Sequence, residues 1–481
     1  MPVFDSFIAK DLNGDIDMAK SAATWEVTPD FKTWTFTPST SMTFHDGQAV
    51  EAEDLKLAVD FYRRPDSTGG IPSYYKEHVV RSEIIDNDHF VLEYDEPRLG
   101  AVVNDLSMSQ PTLLPNMDQI EEIQQRTGSD FDTALEEAFL SPNATGPFRV
   151  TEFIPSDFAN YEANVDYWNE GPYFDSIEFK LVQESATQIA LVTTGQADLI
   201  DLNSTLVETL ERANGRFETT PNAVWVFGAF GNLYEPDAPG YNPDIPWADV
   251  RVREALNISL DRQQLLDTFY KGRARFLNDP FLGPGVVGYE FARNNDNPVP
   301  FDVDRARQLL MDAGQENMTV EMRFDPQAGG RSAELGALTE AVADMWRQNL
   351  DITVDISVLG LDDAEIREDR TAYPYIWLIT EEATPFGGES RLFKYTPEHI
   401  EGWYDQGGEE GERLWKAVVD ETDLQKRAMA TAEFSDFLRR EWALPFFFQK
   451  PQFWGISERI DSWRQISGVL WPHNFNLVKP K

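Results

Sequence analysis

The chain predicts an α/β fold in two lobes, and three observations carry that prediction. Ile177, Phe179 and Leu181 alternate as in a strand, helical sequence runs from Ala186 to a closing Gly195, and residues 196–200 form a second strand pattern. Strand, helix, glycine, strand is how an α/β layer with a parallel or mixed sheet reads in sequence. The order returns later: Thr319–Phe324 reads as a strand, Leu335, Leu338, Val342, Met345 and Trp346 share a helix face, and Ile352, Val354, Ile356 and Val358 alternate. At 481 residues the length fits about three domains.

Taken in order, Trp34, Phe36 and Pro38 alternate with Thr33, Thr35 and Thr37 as in a half-buried strand, and Asp46-Gly47 marks a tight turn. A helix starts near Ala52, with Leu55, Ala58, Val59 and Tyr62 on one face and Glu51, Glu53 and Asp54 at its positive end. His45 has no second ligand at useful spacing and reads as a structural residue of the turn. Residues 84–85 and 90–94 flank Asp86-Asn87-Asp88 as a hairpin, and one helical stretch is expected from residue 117 to about 139. The Thr145-Gly146-Pro147-Phe148 turn leads into a strand. Residues 223–231 form an apolar strand whose Trp225, Phe227 and Phe230 are either core or the floor of a binding site. A Pro- and Gly-rich loop at 232–247 is expected on the hinge side.

Residues 249–271 predict a helix pair. Val252, Ala255, Leu256 and Ser259 recur at i, i+3, i+4 and i+7, then Asp261 and Gln264 form a capping-box pattern and Gly272 supplies a stop. Asp302 caps a further helix bearing Ala306, Leu309, Leu310 and Ala313, which Gly314 ends. Residues 375–380 and 445–448 read as apolar strands, followed by Phe453-Trp454-Gly455.

The excess of 83 acidic over 41 basic residues gives a formal charge of −42, which disfavours a phosphate backbone as partner, so no nucleic acid is expected. Cysteine is absent, which removes Cys-ligated metal centres and thiol nucleophiles. Five scattered His form no obvious metal cage, and no nucleophile-elbow, zincin or phosphate-loop motif occurs, so neither a metal, a cofactor nor a catalytic residue is assigned. No run reaches the roughly 18 apolar residues of a membrane span.

The wording of several segments resembles one family. D-x-R-V-R-x-A-L-N-x-S-L-D-R at 249–262, W-E-V-T-P-D-x-x-T-W-T-F at 25–36, F-H-D-G at 44–47 and FDVDRARQLLMDAG at 301–314 are similar to the family 5 extracellular solute-binding proteins, the peptide, oligopeptide and nickel receptors of ABC importers. Glu51 stands where that family places a capping Thr, and Pro38-Ser39 where it has Leu-Arg. The resemblance implies the two-lobed type II, cluster C periplasmic-binding-protein fold. Residues 1–41, 166–248 and 452–481 would form lobe I, 42–165 a small accessory domain, and 249–451 lobe III. It implies a monomer outside the cytoplasm that closes on a peptide or other small-molecule ligand and docks on ABC permease subunits. Family members carry an export signal upstream, so a truncated or processed start is expected. It further implies a ligand site. Arg331 lies near an Arg that binds the ligand carboxylate in dipeptide-binding relatives, and Glu381 and Glu382, after Trp377, lie where peptide-binding members place an Asp for the ligand amino group. Trp225 and Phe230 complete the candidate set, with core or solvated roles as the alternative. Rival readings are a carboxylate-dependent hydrolase, either glycosidase or peptidase, and a sensory or chaperone module on the same fold.

Overall fold

The computed structural model describes residues 2–65, 75–86, 88–98, 106, 115–234, 236, 241–294, 296–324, 334–358, 375–383, 387–396, 404, 407–468 and 474–481. The chain divides into two units. The first comprises Met1–Leu202, Glu208–Thr219 and Trp454–Lys481, and the second Asn203–Val207 and Thr220–Phe453.

In the first unit, β1 (Ala23–Val27), β2 (Thr33–Pro38), β3 (Val79–Asp86) and β4 (His89–Tyr94) form an antiparallel sheet in the order β1-β2-β4-β3. Trp34 and Phe36 are buried on β2, as the alternation predicts, and β3 and β4 are the expected hairpin. Helix α1 (Ala52–Tyr62) buries Leu55, Ala58 and Val59, and the Glu51 amide donates to the Asp54 carboxylate at 2.9 Å. The single helix expected over 117–139 is two, α2 (Met117–Thr127) and α3 (Phe131–Leu140). Gly128 turns left-handed at φ 72° and ends α2, and the Asp130 carboxylate accepts from the Thr133 amide to start α3.

Strands β5 (Phe148–Ile154), β6 (Phe158–Ala163) and β7 (Ser176–Lys180) form a separate antiparallel sheet. Gly146 is required at its entry, since a Cβ there would lie 2.4 Å from the Val3 carbonyl carbon. His45 is structural, with one ring nitrogen 3.0 Å from the Gly146 carbonyl oxygen, and burial holds its pKa below the usual value. Helix α4 (Ser185–Thr193) then leads to β8 (Leu199–Leu202). Here the expected strand–helix–strand layer is corrected: β7 stays in the antiparallel sheet, whereas β8 pairs with the strand formed by residues 446–456 in another. Alternation identifies a strand but not the sheet it joins.

The second unit is built on a larger sheet. Its strands are β9 (Arg216–Phe230, in this unit from Thr220), β10 (Arg275–Phe276), β11 (Thr319–Phe324), β12 (Thr353–Val358), β13 (Ile376–Glu382) and β14 (Phe446–Ile456, in this unit to Phe453), ordered β10-β14-β9-β13-β11-β12. β11 runs parallel to both β12 and β13, and β13 is antiparallel to β9. The helix pair is present as α5 (Val250–Ile258) and a short turn, Arg262–Leu265, that widens into a π turn over Leu266–Tyr270. Val252, Ala255, Leu256 and Ser259 are all buried, and Asp261 accepts from the Gln264 amide at 2.9 Å. Helix α7 (Leu335–Leu350) lies on β11, β12 and β13, α6 (Val303–Ala313) packs on α5 and α7, and the Trp346 indole donates to the Leu256 carbonyl at 2.8 Å. Helices α8 (Gly408–Val419) and α9 (Leu424–Arg440) pack against one another. The two apolar segments expected near 445–448 and 453–455 are one continuous strand, β14. The chain ends in a two-stranded antiparallel sheet, β15 (Ile460–Trp463) with β16 (Val478–Pro480).

Candidate functional site

The carboxyl ends of β11, β12 and β13 lie at Phe324, Val358 and Glu382. In open α/β sheets ligands gather beyond the carboxyl ends of the strands, where side chains and following loops converge. That end of β13 is unusual because an apolar strand finishes in two buried carboxylates, Glu381 and Glu382. Buried charge is costly unless paired.

Among the described residues Glu381 has two ion-pair partners. Its Oε1 lies 3.3 Å from the Lys394 ammonium, and its Oε2 meets Nε of Arg391. Both cations come from the segment just after β13, the short helix Gly387–Leu392 and the 3-10 turn Phe393–Tyr395. Side chains alternate along a strand, so Glu381 shares a face with Trp377 and Ile379, while Glu382 faces the other way with Thr380. Directly across the ladder from Glu381 stands Trp225 of β9. Its ring packs edge-on against Phe281 at 5.4 Å, and Phe281 contacts Tyr395 at 5.7 Å. The Trp225 indole N–H is buried and has no hydrogen-bond partner among the described residues.

A second buried pair lies elsewhere in this unit. Lys450 Nζ is 2.8 Å from Glu334 Oε1, with both side chains almost fully enclosed, and the Ser204 hydroxyl donates to the same oxygen at 3.2 Å. Burial and the neighbouring Glu334 charge push the Tyr270 phenol well above its ordinary pKa. A third pair joins Glu389 to Arg427, with Nε to Oε2 at 2.9 Å.

At the β11–β12 edge is a cleft of about 320 Å³ whose lining includes Asp244, Trp247, Glu321, Asp355 and Ser357. Glu321 there already accepts from Arg323 at 2.6 Å and from the Ser357 hydroxyl at 3.3 Å. Among the described residues no group of three or more His, Asp or Glu side chains could hold a metal ion, and no helix is long and apolar enough to cross a membrane.

Of the residues singled out from sequence, Trp225, Trp377, Glu381 and Glu382 fall on the β9–β13 ladder, and all are buried. Phe230 is on the same ladder but at its other end, opposite Ile376, with its side chain wholly enclosed in the core. Arg331 lies outside the described residues. Arg391, Lys394, Glu334 and Lys450 were not reached by reading the sequence. The signal for the first two was present, since Glu-Glu closing an apolar strand demands nearby cations and residues 387–396 supply them.

The comparisons with known proteins agree on one family. Residues 18–384 match the profile described as bacterial extracellular solute-binding proteins, family 5 Middle. A Brucella ovis protein named as an ABC transporter peptide-binding protein is 23% identical over 307 residues, which is 63% of this chain and 52% of that protein. The glutathione-binding protein GsiB of Salmonella choleraesuis is 24% identical over 291 residues, 60% of this chain and 52% of that protein. The matched stretch thus spans about half the length of these curated relatives. The crystal structure of a peptide-binding protein, AppA from Clostridium difficile, superimposes with a TM-score of 0.79 at 14% identity, covering 100% of this chain and 95% of that one. The architecture is therefore the mixed α/β fold of the periplasmic peptide-binding proteins, and with its profile matched over residues 18–384 the chain belongs to the bacterial extracellular solute-binding proteins, family 5.

Proposed function

We propose that this chain is the extracytoplasmic substrate-binding subunit of an ABC importer. It captures peptides or a similar small organic solute and passes it to permease subunits in the membrane, acting as a monomer in the periplasm or outside the cell. The observation that carries this reading is the family match over residues 18–384. The relatives named above, a peptide-binding and a glutathione-binding protein, are binding proteins rather than enzymes, which supports capture without covalent chemistry. Trp225, Trp377, Glu381, Glu382 and Arg331 are proposed to serve the ligand site, with Phe230 behind it. The division into lobe I, accessory domain and lobe III at the residue ranges given above belongs to the same proposal.

The test is incubation of the purified chain with peptide and oligosaccharide mixtures, followed by mass spectrometry of bound and free fractions. Depletion of a subset of solutes to one equivalent, with no new products, is expected. Catalytic turnover of any component would favour the hydrolase reading.

A further inference from the structure

We infer that the Asn317 carboxamide is an N-glycosylation site, read through the triplet Asn317-Met318-Thr319 and presented by the turn between α6 and β11. The inference rests on the extracytoplasmic reading above, because this modification is made on proteins that leave the cytoplasm.

The triplet N-x-[ST] occurs four times in the sequence, at Asn143-Ala144-Thr145, Asn203-Ser204-Thr205, Asn257-Ile258-Ser259 and Asn317-Met318-Thr319. By sequence the four are equal. A glycosyl transferase needs two free groups at once, a carboxamide nitrogen to modify and a hydroxyl two residues on to recognise, so the fold ranks them. Asn257 and Ser259 are wholly buried, and the Asn257 carboxamide donates to the Arg253 carbonyl at 3.1 Å and accepts from Arg262 at 2.9 Å. Asn143 donates to the Asp46 carboxylate at 2.7 Å, and the buried Thr145 hydroxyl accepts from the Asp5 amide at 3.3 Å. Asn203 is half-buried and caps a 3-10 turn, its Oδ1 accepting from the Thr205 amide at 2.9 Å and from the Thr205 hydroxyl at 3.0 Å. That hydroxyl is already spent within its own triplet.

Asn317 differs on each count. Gly314 ends α6 in the left-handed conformation, and the Met318 amide then donates to the Gln315 carbonyl at 3.3 Å, closing a tight turn with Asn317 at its third position. Met318 is buried and anchors the turn, whereas Asn317 and Thr319 on either side of it are both exposed. Neither exposed side chain makes a hydrogen bond among the described residues, so modification breaks no contact. Thr319 also lines the cleft at the β11–β12 edge, which leaves open space beside the triplet.

The reaction is a substitution. The Asn317 nitrogen bonds to the anomeric carbon of a lipid-linked oligosaccharide phosphate, the bond from that carbon to the phosphate oxygen breaks, the phosphate leaves with the electron pair, and one N–H proton is lost. Nothing is oxidised or reduced. Thr319 opens β11 and Phe324 closes it, about 17 Å further along at the usual strand rise. The glycan therefore sits at the opposite end of the strand from the carboxyl ends that carry the candidate site, and it adds a bulky hydrated group without touching solute capture.

The experiment uses the full chain isolated from the organism that makes it, fractionated into cytoplasmic and extracytoplasmic pools and digested with trypsin. The peptide spanning residues 308–323 is expected to carry a sugar mass increment that fragmentation places on Asn317. Thr319→Ser should keep the increment. Thr319→Ala and Asn317→Gln should lose it completely, while all three variants melt cooperatively and bind solute as wild type does. An unmodified 308–323 peptide from extracytoplasmic protein overturns the assignment and leaves the binding-protein reading standing. So does an increment found on Asn203, or one that persists in Asn317→Gln and so sits on another atom. Protein recovered only from the cytoplasmic pool, without the increment, removes both.

Discussion

Asp5 is held by two aromatic donors, the Tyr167 hydroxyl at 2.8 Å and the Trp168 indole at 3.0 Å. Burial outweighs those hydrogen bonds and raises its pKa to about 6. A carboxyl whose pKa is higher folded than unfolded stabilises the fold when protonated. That stabilisation is complete below the unfolded value near 4 and is lost as pH rises through about 6. A shift of about two pKa units corresponds to roughly 2 to 3 kcal/mol at most. Asp5→Asn should therefore be more stable than wild type at pH 7.5, with the difference shrinking toward pH 4.5; denaturant melts across that range measure it, and a pH-independent difference would refute the assignment. The Glu334–Lys450 pair behaves differently, because neither side chain reaches solvent. Glu334→Gln leaves Lys450 with a neutral partner and should cost about 3 kcal/mol or more, whereas Glu334→Leu with Lys450→Met should recover most of that loss. Chemical denaturation of the single and double variants distinguishes a needed ion pair from a replaceable one.

At the scale of elements, the helices were the most legible part of the chain. The face formed by Val252, Ala255, Leu256 and Ser259, and the caps at Asp261 and Asp302, follow from spacing and side-chain chemistry that act within a few residues. Gly128-Ser129-Asp130 carried the break between α2 and α3 in plain view, a left-handed stop followed by an N-cap, yet the sequence on either side reads as one helical stretch. Sheet membership was not legible. Nothing in residues 176–200 says that β7 pairs with β6 whereas β8 pairs with β14, because those partners are chosen by tertiary packing. The α5–α7 contact gives a direct test of the second unit's core. Trp346 is fully buried and its indole donates to Leu256, so Trp346→Ala should lower stability by about 3 to 5 kcal/mol, the usual cost of emptying a large aromatic site. A loss under 1 kcal/mol in equilibrium unfolding would mean that the contact is not part of the cooperative core.

For the whole molecule, a charge of −42 and an aromatic content of 12% describe a wet acidic surface over ring-rich interiors. Family membership was legible because its motifs are local strings, spread from Trp25 to Gly314. The candidate site was half legible. Trp225, Trp377, Glu381 and Glu382 stood out as rings or charges in apolar strands, but Arg391 and Lys394 were missed although two carboxylates closing an apolar strand call for nearby cations. Lys450 is 116 residues from the Glu334 it neutralises, and pairings at that distance leave no trace in a single sequence. The central claim is that this chain holds a small solute and releases it unaltered. Native mass spectrometry of the freshly purified protein, before and after exposure to a peptide library, tests it most directly. A one-to-one complex that yields the intact solute on denaturation is expected; peptides recovered shortened, or no retained solute under any condition, would contradict it.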